Sequence, residues 1–441
     1  MAKEKMEALV PVEEQPYPVP ENWQWYRVES INRYKSESIN PFEYSDELFE
    51  LYSVPSSDEE YPEIIEGKDI GSSKMLVQKG DVLLCKINPR INRVWQVYCY
   101  TENRYIASSE WIIIRSELLN PAYLMYCFRS SYFRKYMLSN VSGVGGSLMR
   151  AQPKFVKEYP VPIPPIPEQK RIVDHIESLF AKLDEAKEKA QAIVDGFEDR
   201  KAAILHQAFT GKLTEKWRLT HHILFSSWET ETIASRFEIV GGIQKTPARV
   251  PKKNPIPYIT VANVYRNAID LSEIRYFEVN DEEIAKLRLK EKDILIVEGN
   301  GSGNEIGRCA MWHNELPLCI HQNHIIRARV LDEQTVPEYV LYFLNSDDGM
   351  RIIREKAVTT AGLYNLSVGK IKSIIAPFPK KEEQEEIVHI LDSLINGEYA
   401  VKEAAENTLV AIDNMKKAIL AQAFRGELGT NDPSEPPADI S

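Results

Sequence analysis

The stretches ILHQAFTGKL, residues 204–213, and ILAQAFRGEL, residues 419–428, are nearly identical and lie 215 positions apart. The match extends backwards without a gap to Glu168-Gln169, which align with Glu383-Gln384, and 18 of the 46 aligned positions are identical. Unrelated sequences of average composition agree at only about 6% of positions. The chain therefore contains an internal duplication, which organises the rest of the sequence.

Both copies of the repeat show the periodicity of a helix that pairs with another helix. Apolar residues recur at alternating steps of three and four, the spacing of a coiled-coil seam. Pro167 and Pro379 mark the helix starts, and Gly211 and Gly426 mark the ends. Each helix would be about 60 Å long and would need a partner along its length, for which the other copy is the nearest candidate. The predicted pairing residues are Ile172, Ile176, Leu179, Leu183, Ile193, Phe197, Ile204, Ile387, Leu391, Leu394, Val401, Ile412 and Ile419.

The segments before the two helices are typical of globular domains. Short strand-like runs, such as DVLLCKI at 81–87 and DILIVEG at 293–299, alternate with Gly, Asn and Pro turns. We expect an α+β fold, with two mixed α/β domains built mainly on antiparallel sheet and alternating with the two long helices. The predicted boundaries are 1–164 for the first domain, 165–213 for the central helix, 214–379 for the second domain, 380–428 for the distal helix and 429–441 for a flexible tail.

The charge distribution favours a nucleic-acid surface in the first domain, although the formal net charge of the chain is −11. Residues 1–67 hold 5 basic and 16 acidic side chains, whereas residues 68–157 hold 14 basic and 5 acidic ones. A basic block of this size can face phosphates even in an acidic protein. A solvated surface without a partner remains the alternative.

Composition points to a cytoplasmic location. The five scattered cysteines, Cys85, Cys99, Cys127, Cys309 and Cys319, favour reduced thiols over a disulfide framework. We find no apolar run near eighteen residues and no apolar signal-peptide stretch, so we expect no membrane partner.

Three motifs resemble catalytic or ligand-binding sites, and none predicts an enzyme. Asn120-Pro121-Ala122-Tyr123 is close to the NPPY loop of amino-methyltransferases, but no glycine-rich methyl-donor loop accompanies it, so Asn120 is predicted to cap a helix. The loop Glu298–Asn304 lacks the order of a phosphate-binding loop, which leaves DNA contact or a plain turn. Cys309, His313, Cys319, His321 and His324 match no standard zinc spacing. We therefore expect no catalytic residue, no cofactor and no metal.

Two globular units alternating with two long helices resemble the specificity subunit of Type I restriction–modification enzymes. The sequence motifs that carry the resemblance in the helices are PIPPIPEQKRIVDHIESLFAKLDEA with AFTGKL in the first copy, and PFPKKEEQEEIVHILDSL with AFRGEL in the second. The globular marks are PENWQWYRVESI, IPYITVANVYRNAID, DILIVEGNGSGNEIGR and YNLSVGKIKSIIAPFP. The resemblance covers the chain from Pro20 to Leu428.

The resemblance implies a non-catalytic reader of double-stranded DNA. Each globular segment would be a target-recognition domain for one half of a bipartite, asymmetric site. The helices would pair as an antiparallel coiled coil about a pseudo-two-fold axis and would set the unread spacer. They would also dock two methyltransferase subunits, which bring the methyl donor, and restriction/translocase subunits would join and bring ATP chemistry.

Candidate DNA contacts lie in polar, turn-rich stretches of both domains. Arginine suits guanine and asparagine suits adenine in the major groove, and both also contact phosphate. The candidates in the first domain are Lys86, Asn88, Arg90, Asn92, Arg93, Ser147, Arg150 and Gln152. The candidates in the second domain are Gln244, Lys245, Thr246, Arg266, Asn300, Ser302, Asn304, Arg308, Gln322 and Asn323. For any one of them, an ordinary surface position is the alternative.

A second hypothesis is a coiled-coil adaptor whose variable domains bind protein partners instead of DNA. The basic block at 68–157 argues against it. Salt-sensitive binding to DNA of mixed sequence would distinguish the two.

Overall fold

The computed structural model describes residues 9–142, 149–303, 305–360 and 363–439. The chain divides into two compact units. The first unit comprises Met1–Gln191 with Asn407–Ser441, and the second comprises Ala192–Glu406. Each unit therefore contains one globular domain together with part of each long helix.

The first unit carries twelve strands, five further α-helices and the end of the distal helix among its described residues. The strands are β1 (Gln24–Arg27), β2 (Ser38–Ile39), β3 (Leu48–Tyr52), β4 (Glu63–Glu66), β5 (Lys74–Leu76), β6 (Val82–Cys85), β7 (Val94–Gln96), β8 (Arg104–Ala107), β9 (Trp111–Ile114), β10 (Val141–Ser142), β11 (Arg150–Ala151) and β12 (Pro160–Ile163). The helices are α1 (Val28–Ile31), α2 (Pro121–Arg129), α3 (Ser131–Ser139), α4 (Pro153–Glu158) and α5 (Ile166–Asp195), the last of which continues past Gln191.

The second unit repeats this mixture. Its strands are β13 (Glu229–Thr232), β14 (Phe237–Gly241), β15 (Pro255–Ile259), β16 (Val264–Tyr265), β17 (Ala268–Ile269), β18 (Arg275–Glu278), β19 (Ile294–Val297), β20 (Gly299–Asn300), β21 (Cys309–Met311), β22 (Ile320–His321), β23 (Ile325–Val330), β24 (Val358–Thr360), β25 (Leu363–Asn365) and β26 (Ile375–Phe378). Its helices are α6 (Phe197–Phe209), α7 (Glu215–Thr220), α8 (Asp281–Leu287), α9 (Pro337–Asn345), α10 (Asp347–Lys356), α11 (Val368–Lys372) and most of α12 (Lys381–Ala423).

Antiparallel pairing dominates both domains, as the sequence predicts. The first contains a five-stranded sheet in the order β2-β5-β8-β3-β4 and a three-stranded sheet β7-β6-β9. The second contains a four-stranded sheet β14-β23-β19-β21 and a three-stranded sheet β18-β15-β22. Among the described strands, only β3–β8 and β15–β22 pair in parallel. The expected pair of repeated domains mixing helices and sheets is confirmed.

Each unit has an equivalent buried strand in the interior of a sheet. Every residue of β6 and of β19 is buried, and each strand has an antiparallel neighbour on both sides. A short continuous apolar run is the pattern of a strand buried on both faces. Asp81 and Asp293 precede these strands, and each accepts two hydrogen bonds of 2.7 Å from one arginine, Arg115 or Arg329. The duplication thus extends to the polar contacts that border the core.

The central helix is interrupted, whereas the distal helix is continuous. α5 ends at Asp195 and α6 begins at Phe197, with Gly196 between them. The interruption coincides with a glycine, the least helix-favouring residue after proline, whereas the aligned position of the distal helix is Ala411. After the helices, Gly211 and Gly426 both have φ of +75°, a left-handed conformation that glycine adopts without a steric penalty.

Within each unit, part of the central helix lies antiparallel to part of the distal helix. In the first unit, Asp184 pairs with Lys416 and Lys187 pairs with Asp413. In the second unit, Arg200 pairs with Glu398 at 2.7 Å, and the rings of Phe197 and Tyr399 are 5.0 Å apart. These contacts are local to each unit.

The predicted pairing residues divide into three groups by burial. The buried ones are Ile172, Ile176, Phe197, Ile387, Leu391 and Ile412, and the partly buried ones are Leu179, Leu183, Ile204 and Ile419. Ile193, Leu394 and Val401 are exposed, and the more buried side chain follows one residue later, at Val194, Ile395 and Lys402. A straight helix drifts from a strict alternation of three- and four-residue steps, which accounts for this slip.

In the first unit, a buried carboxylate joins three segments at the start of the central helix. Glu168 is fully buried and accepts hydrogen bonds from Trp23 Nε1 at 2.8 Å and from Asn431 Nδ2 at 2.9 Å. A buried carboxylate is costly unless its oxygens are hydrogen-bonded. This residue therefore holds the entry of β1 and the segment after the distal helix against α5.

In the second unit, Glu383 occupies the same position at the start of the distal helix. It is fully buried and accepts from Trp228 Nε1 at 2.9 Å, from Thr214 Oγ1 at 2.7 Å and from Arg218 Nη1 at 2.6 Å. Arg218 is itself buried, so this site contains a buried ion pair, whereas the direct donors to Glu168 are neutral.

The glutamine that follows each glutamate repeats a second contact. Gln169 accepts from the backbone N–H of Asn120 at 2.9 Å, and Gln384 accepts from that of Val336 at 2.9 Å. Both glutamines thereby dock a short helix, α2 or α9, onto a long one. The Asn120 side chain caps α2, as predicted.

Residues 429–439, predicted as part of a flexible tail, make side-chain contacts within the first unit. Arg171 on α5 donates two hydrogen bonds to the carboxylate of Glu435, at 2.9 and 2.7 Å. Asn22 Nδ2 donates to the carbonyl oxygen of Asp432 at 2.9 Å. In the first unit this segment packs beside the start of α5. Residues 214–218 pack in the same way beside the start of α12 in the second unit.

Across the described ranges, no helix is both long and apolar enough to cross a membrane.

His321 lies in β22 and is fully buried. Its Nδ1 donates to the carbonyl oxygen of Ile325 at 2.9 Å, and its Nε2 is buried without a partner among the described residues. Burial disfavours the charged ring and lowers the pKa of His321 from 6.5 to about 4.

Replacing Glu383 with Gln leaves the buried Arg218 without a charged partner. We expect Glu383→Gln to lower the free energy of unfolding of the second unit by about 3 kcal/mol. The matched change Glu168→Gln, at a carboxylate with neutral direct donors, should cost the first unit about 1 kcal/mol. Hydrogen exchange of each unit, followed by mass spectrometry in the full chain, measures both effects. Equal destabilisation of the two units would contradict the conclusion that Glu383 has a charged partner to lose whereas Glu168 has only neutral donors.

Acid should destabilise the second unit through His321. Between pH 6.5 and 4 the ring is protonated in the unfolded chain but neutral in the folded one, so stability decreases as pH falls through this window. The full effect is about 3 kcal/mol. His321→Asn keeps a donor for Ile325 but does not titrate. The free energy of unfolding of the variant, measured in urea and taken relative to that of the native chain, should therefore rise as pH falls from 6.5 to 4. Parallel pH profiles for the two chains would refute the assignment.

Candidate nucleic-acid interface

Two predicted regions of the first domain, distant in sequence, are neighbours in the structure. β6 runs into the loop 86–93, and β11 lies beside the start of that loop. Ile87 forms an antiparallel bridge with Arg150, and the backbone N–H of Ala151 donates to the carbonyl of Lys86 at 2.9 Å. The backbone N–H of Asn88 donates to the carbonyl of Met149 at 3.0 Å. The candidates from 86–93 and from 150–152 therefore share one surface, which we call the first reading surface.

The loop 86–93 turns twice through left-handed conformations. Asn88 and Asn92 have φ of +47° and +54°, values that asparagine tolerates better than most residues. Arg90 between them is exposed, and neither Arg90 nor Lys86 has an ion-pair partner in the described part of the chain. The Oδ1 atom of Asn88 is buried without a partner in the same part of the chain. The loop thus presents two cations that the fold does not neutralise.

Two predicted residues of this loop serve the fold instead. The Arg93 guanidinium donates two hydrogen bonds to Asp58, at 2.8 and 3.0 Å, and these bonds lower the pKa of the Asp58 carboxyl. Asn92 Nδ2 donates to the carbonyl of Phe128 at 3.0 Å. These contacts hold the far end of the loop against the turn that ends at Asp58 and against α2.

On the other side of this surface, Arg150 pairs with Glu110 at 3.1 Å and remains more than half exposed, while Gln152 is half-buried at the start of α4. The Glu110 backbone also accepts from the N–H of Lys86 at 2.9 Å. The position of Glu110 at this surface could not be predicted, because no feature of the sequence around Glu110 indicates that it lies beside Lys86 and Arg150.

The second domain builds the same backbone arrangement with different side chains. The N–H of Glu298 donates to the carbonyl of His324 at 2.9 Å, and the N–H of Leu366 donates to the carbonyl of Glu298 at 2.7 Å. β20, Gly299–Asn300, continues from β19 and pairs with β25. We call the surface formed by Glu298, β20 and His324 the second reading surface. Burial raises the pKa of Glu298, and His324, whose Nδ1 is 3.5 Å from its carboxylate, opposes that rise.

A further stretch of predicted residues adjoins the second reading surface. Gln322 bridges to Ile243, and the backbone N–H of Asn323 donates to the carbonyl of Ile243 at 2.9 Å. Gln244, Lys245 and Thr246, which follow Ile243, are therefore brought next to Gln322 and Asn323. All three are exposed.

The remaining predicted residues mostly serve the fold. The Arg308 guanidinium donates to the carbonyls of Val264 at 2.6 Å and Val261 at 2.8 Å, and Arg266 donates to Asn345 Oδ1 at 3.2 Å, so both arginines brace the domain. Ser302 accepts at its carbonyl from the N–H of Glu305 in a turn. Ser147, Asn304 and the side chain of Asn300 lie outside the described parts of the chain.

Comparison with known proteins gives a consistent match. A family model described as Type I restriction modification DNA specificity domain matches residues 21–193 and 226–410. The EcoKI specificity subunit of Escherichia coli (strain K12) is 30% identical over 337 residues, 75% of this chain and 70% of the relative. The StySPI specificity subunit of Salmonella potsdam is 25% identical over 326 residues, 74% of this chain and 69% of the relative.

Two solved structures show the same fold. A chain from a structure of the type I R-M system, which covers 94% of this chain and is itself covered completely, has a TM-score of 0.73 at 20% identity. The HsdS subunit of Thermoanaerobacter tengcongensis has a TM-score of 0.65 at 20% identity, covering 95% of this chain and 100% of its own. Because the family model matches both halves and most of the length, this chain belongs to the DNA specificity subunits of Type I restriction–modification systems.

Proposed function

We propose that the chain reads a bipartite, asymmetric DNA site, with the first and second reading surfaces each contacting one half-site. The observation that carries the proposal is the equivalence of the two surfaces. The same backbone hydrogen bonds place Lys86-Ile87-Asn88 in one domain and Glu298-Gly299-Asn300 in the other. Because the side chains differ, the half-sites should differ, and the site should not be a palindrome.

The chemistry of the two surfaces suits base and phosphate contacts. Arg90 and Lys86 can donate to guanine or to phosphate, and the Nδ2 of Asn88, whose Oδ1 is buried, can donate to a base or a phosphate. On the second surface, Glu298 can accept from the cytosine amino group, while Gln322 and Asn323 offer amides. This arrangement favours DNA over the protein partners of an adaptor.

We further propose that the two long helices form an antiparallel coiled coil over their full length, with a pseudo-two-fold axis. Such a rod would fix the unread spacer and dock two methyltransferase subunits. The local contacts Asp184–Lys416 and Arg200–Glu398 support the direction of pairing. Restriction/translocase subunits would complete the assembly in the cytoplasm, and all methyl transfer and ATP-dependent cleavage would belong to these partners.

Methylation mapping of a host genome, with and without this gene, tests the proposed function. We expect a methylated motif of two unlike half-sites separated by a fixed gap, present only with the gene. The double change Asn88→Ala and Arg90→Ala should relax recognition at one half-site, because discrimination falls by about 1–3 kcal/mol for each base that these side chains recognise. The matched change Gln322→Ala and Asn323→Ala should relax the other. If either variant relaxed recognition at both half-sites, that result would contradict the assignment of one reading surface to each half-site.

The length of the helices should set the gap. Inserting four residues between Glu188 and Lys189 adds one helical turn, about 6 Å, and should lengthen the unread gap by about one to two base pairs. Four residues inserted after Gly71, which faces open space in a loop, provide the control and should leave the gap unchanged. An unchanged gap in the helix variant would exclude the spacer role.

A further inference from the structure

Two adjoining cavities in the first unit form a groove between α3 and the end of the distal helix. The first, about 410 Å³, is lined by 91–94 of the reading loop, by Arg129 and Arg134, and by Lys417. The second, about 250 Å³, is lined by Tyr17, the start of α3, Lys135 and Arg425. Ser131 lines both cavities, so they adjoin at this residue. We call this feature the α3 groove.

Part of the positive charge in the α3 groove is neutralised by the fold. Arg93 pairs with Asp58 at 2.8 Å, and Arg129 pairs with Glu60 at 2.6 Å. These two pairs account for both carboxylates among the lining residues.

The remaining cations of the groove are available to a ligand. Arg134, Lys135 and Lys417 are exposed, and none has an acidic partner within the described ranges. The guanidinium of Arg425 stacks on the ring of Tyr17, at 5.7 Å from its centroid. The groove therefore carries a row of unneutralised charge on a protein whose net charge is −11.

We propose that the α3 groove holds the phosphate backbone of duplex DNA beside the half-site read by the first reading surface. This inference rests on the proposed function. The groove begins at the reading loop itself, because Ile91 and Asn92 line its first cavity while Arg90 is the adjacent residue. Bases contacted at Arg90 would bring the flanking phosphates over Arg134 and Lys417. Several cations in line along a groove match a polyanion better than a single small ion.

The counterpart in the second unit mixes acidic and basic side chains, so backbone contact should be asymmetric. Ser130 and Ser346 cap equivalent helices, α3 and α10, through the same hydrogen bond. The next two residues are Ser131-Tyr132 in α3 but Asp347-Asp348 in α10. Acidic side chains at this position repel phosphate.

The long helices reinforce the asymmetry. Lys417 of the distal helix aligns with Ala202 of the central helix, and Arg425, just past the end of the first, aligns with Thr210, just past the end of the second. In the second unit, Arg351 is engaged by Asp348 and Glu355, each at 3.3 Å. Arg354 of α10 has no acidic partner in the described structure, but it lies among Asp347, Asp348 and Glu355, so the second unit has no run of unneutralised charge like that of the α3 groove.

The triple change Arg134→Ala, Lys135→Ala and Lys417→Ala in the full chain tests this proposal. Binding to a 30-base-pair duplex of mixed sequence, measured by fluorescence anisotropy across a salt series, should weaken roughly tenfold or more at 0.1 M salt. The slope of log affinity against log salt should fall by roughly two to three, and a duplex carrying the mapped site should bind more weakly by the same factor. The changed side chains are exposed, and Lys417→Arg, which keeps the charge, should bind like the native chain.

The matched control is Arg351→Ala, Arg354→Ala and Lys356→Ala, which removes three cations from α10 of the second unit and should leave affinity and slope unchanged. Native affinity and slope in the α3-groove variant would overturn the proposal. If the variant bound duplex normally but no longer bound methyltransferase subunits, the groove would belong to a protein partner, which would also overturn the proposal. Saturable binding of inorganic phosphate with unchanged duplex affinity would assign it to a free anion. Failure of the native chain to bind any duplex would instead overturn the proposed function, and the α3-groove proposal with it.

Discussion

A buried carboxylate at the start of each long helix is the contact on which the rest of the architecture depends. Glu168 and Glu383 each tie a tryptophan from the domain entry and a polar residue from the segment after a long helix to one point. Because a charge removed from water must be satisfied by hydrogen bonds, all three segments are held together in each unit. The globular domains are thereby fixed to the helices that carry them.

This arrangement separates the parts of the chain that must stay constant from those that can vary. The two buried glutamates repeat, the strands β6 and β19 are both fully buried, and the backbone bonds at the ends of these strands repeat with them. Backbone hydrogen bonds place a loop without regard to its side chains. One scaffold can therefore present a basic surface in the first unit and a more acidic one in the second, which suits a reader of two unlike half-sites.

The candidate site was predictable by region but not by residue. The stretches 86–93 and 150–152 are both identifiable from charge and turn residues, yet only the bridge between Ile87 and Arg150 shows that they form one surface. Arg93 and Arg308 look like DNA contacts in sequence, but their guanidinium groups are engaged by Asp58 and by backbone carbonyls. The long helices are predictable, although the buried positions slip by one residue at Val194, Ile395 and Lys402, because helical periodicity departs from an ideal seam.

The sequence by itself determined that the chain is a duplicated unit with two long helices and two mixed domains, because repeats and periodicity are properties of residue order alone. Only the tertiary structure decided which polar side chains remain available to a ligand. Whether Arg129 or Arg134 is neutralised depends on carboxylates far along the chain, such as Glu60. The α3 groove likewise requires Lys417, almost three hundred residues from Arg134, to be brought beside it, which folding alone achieves.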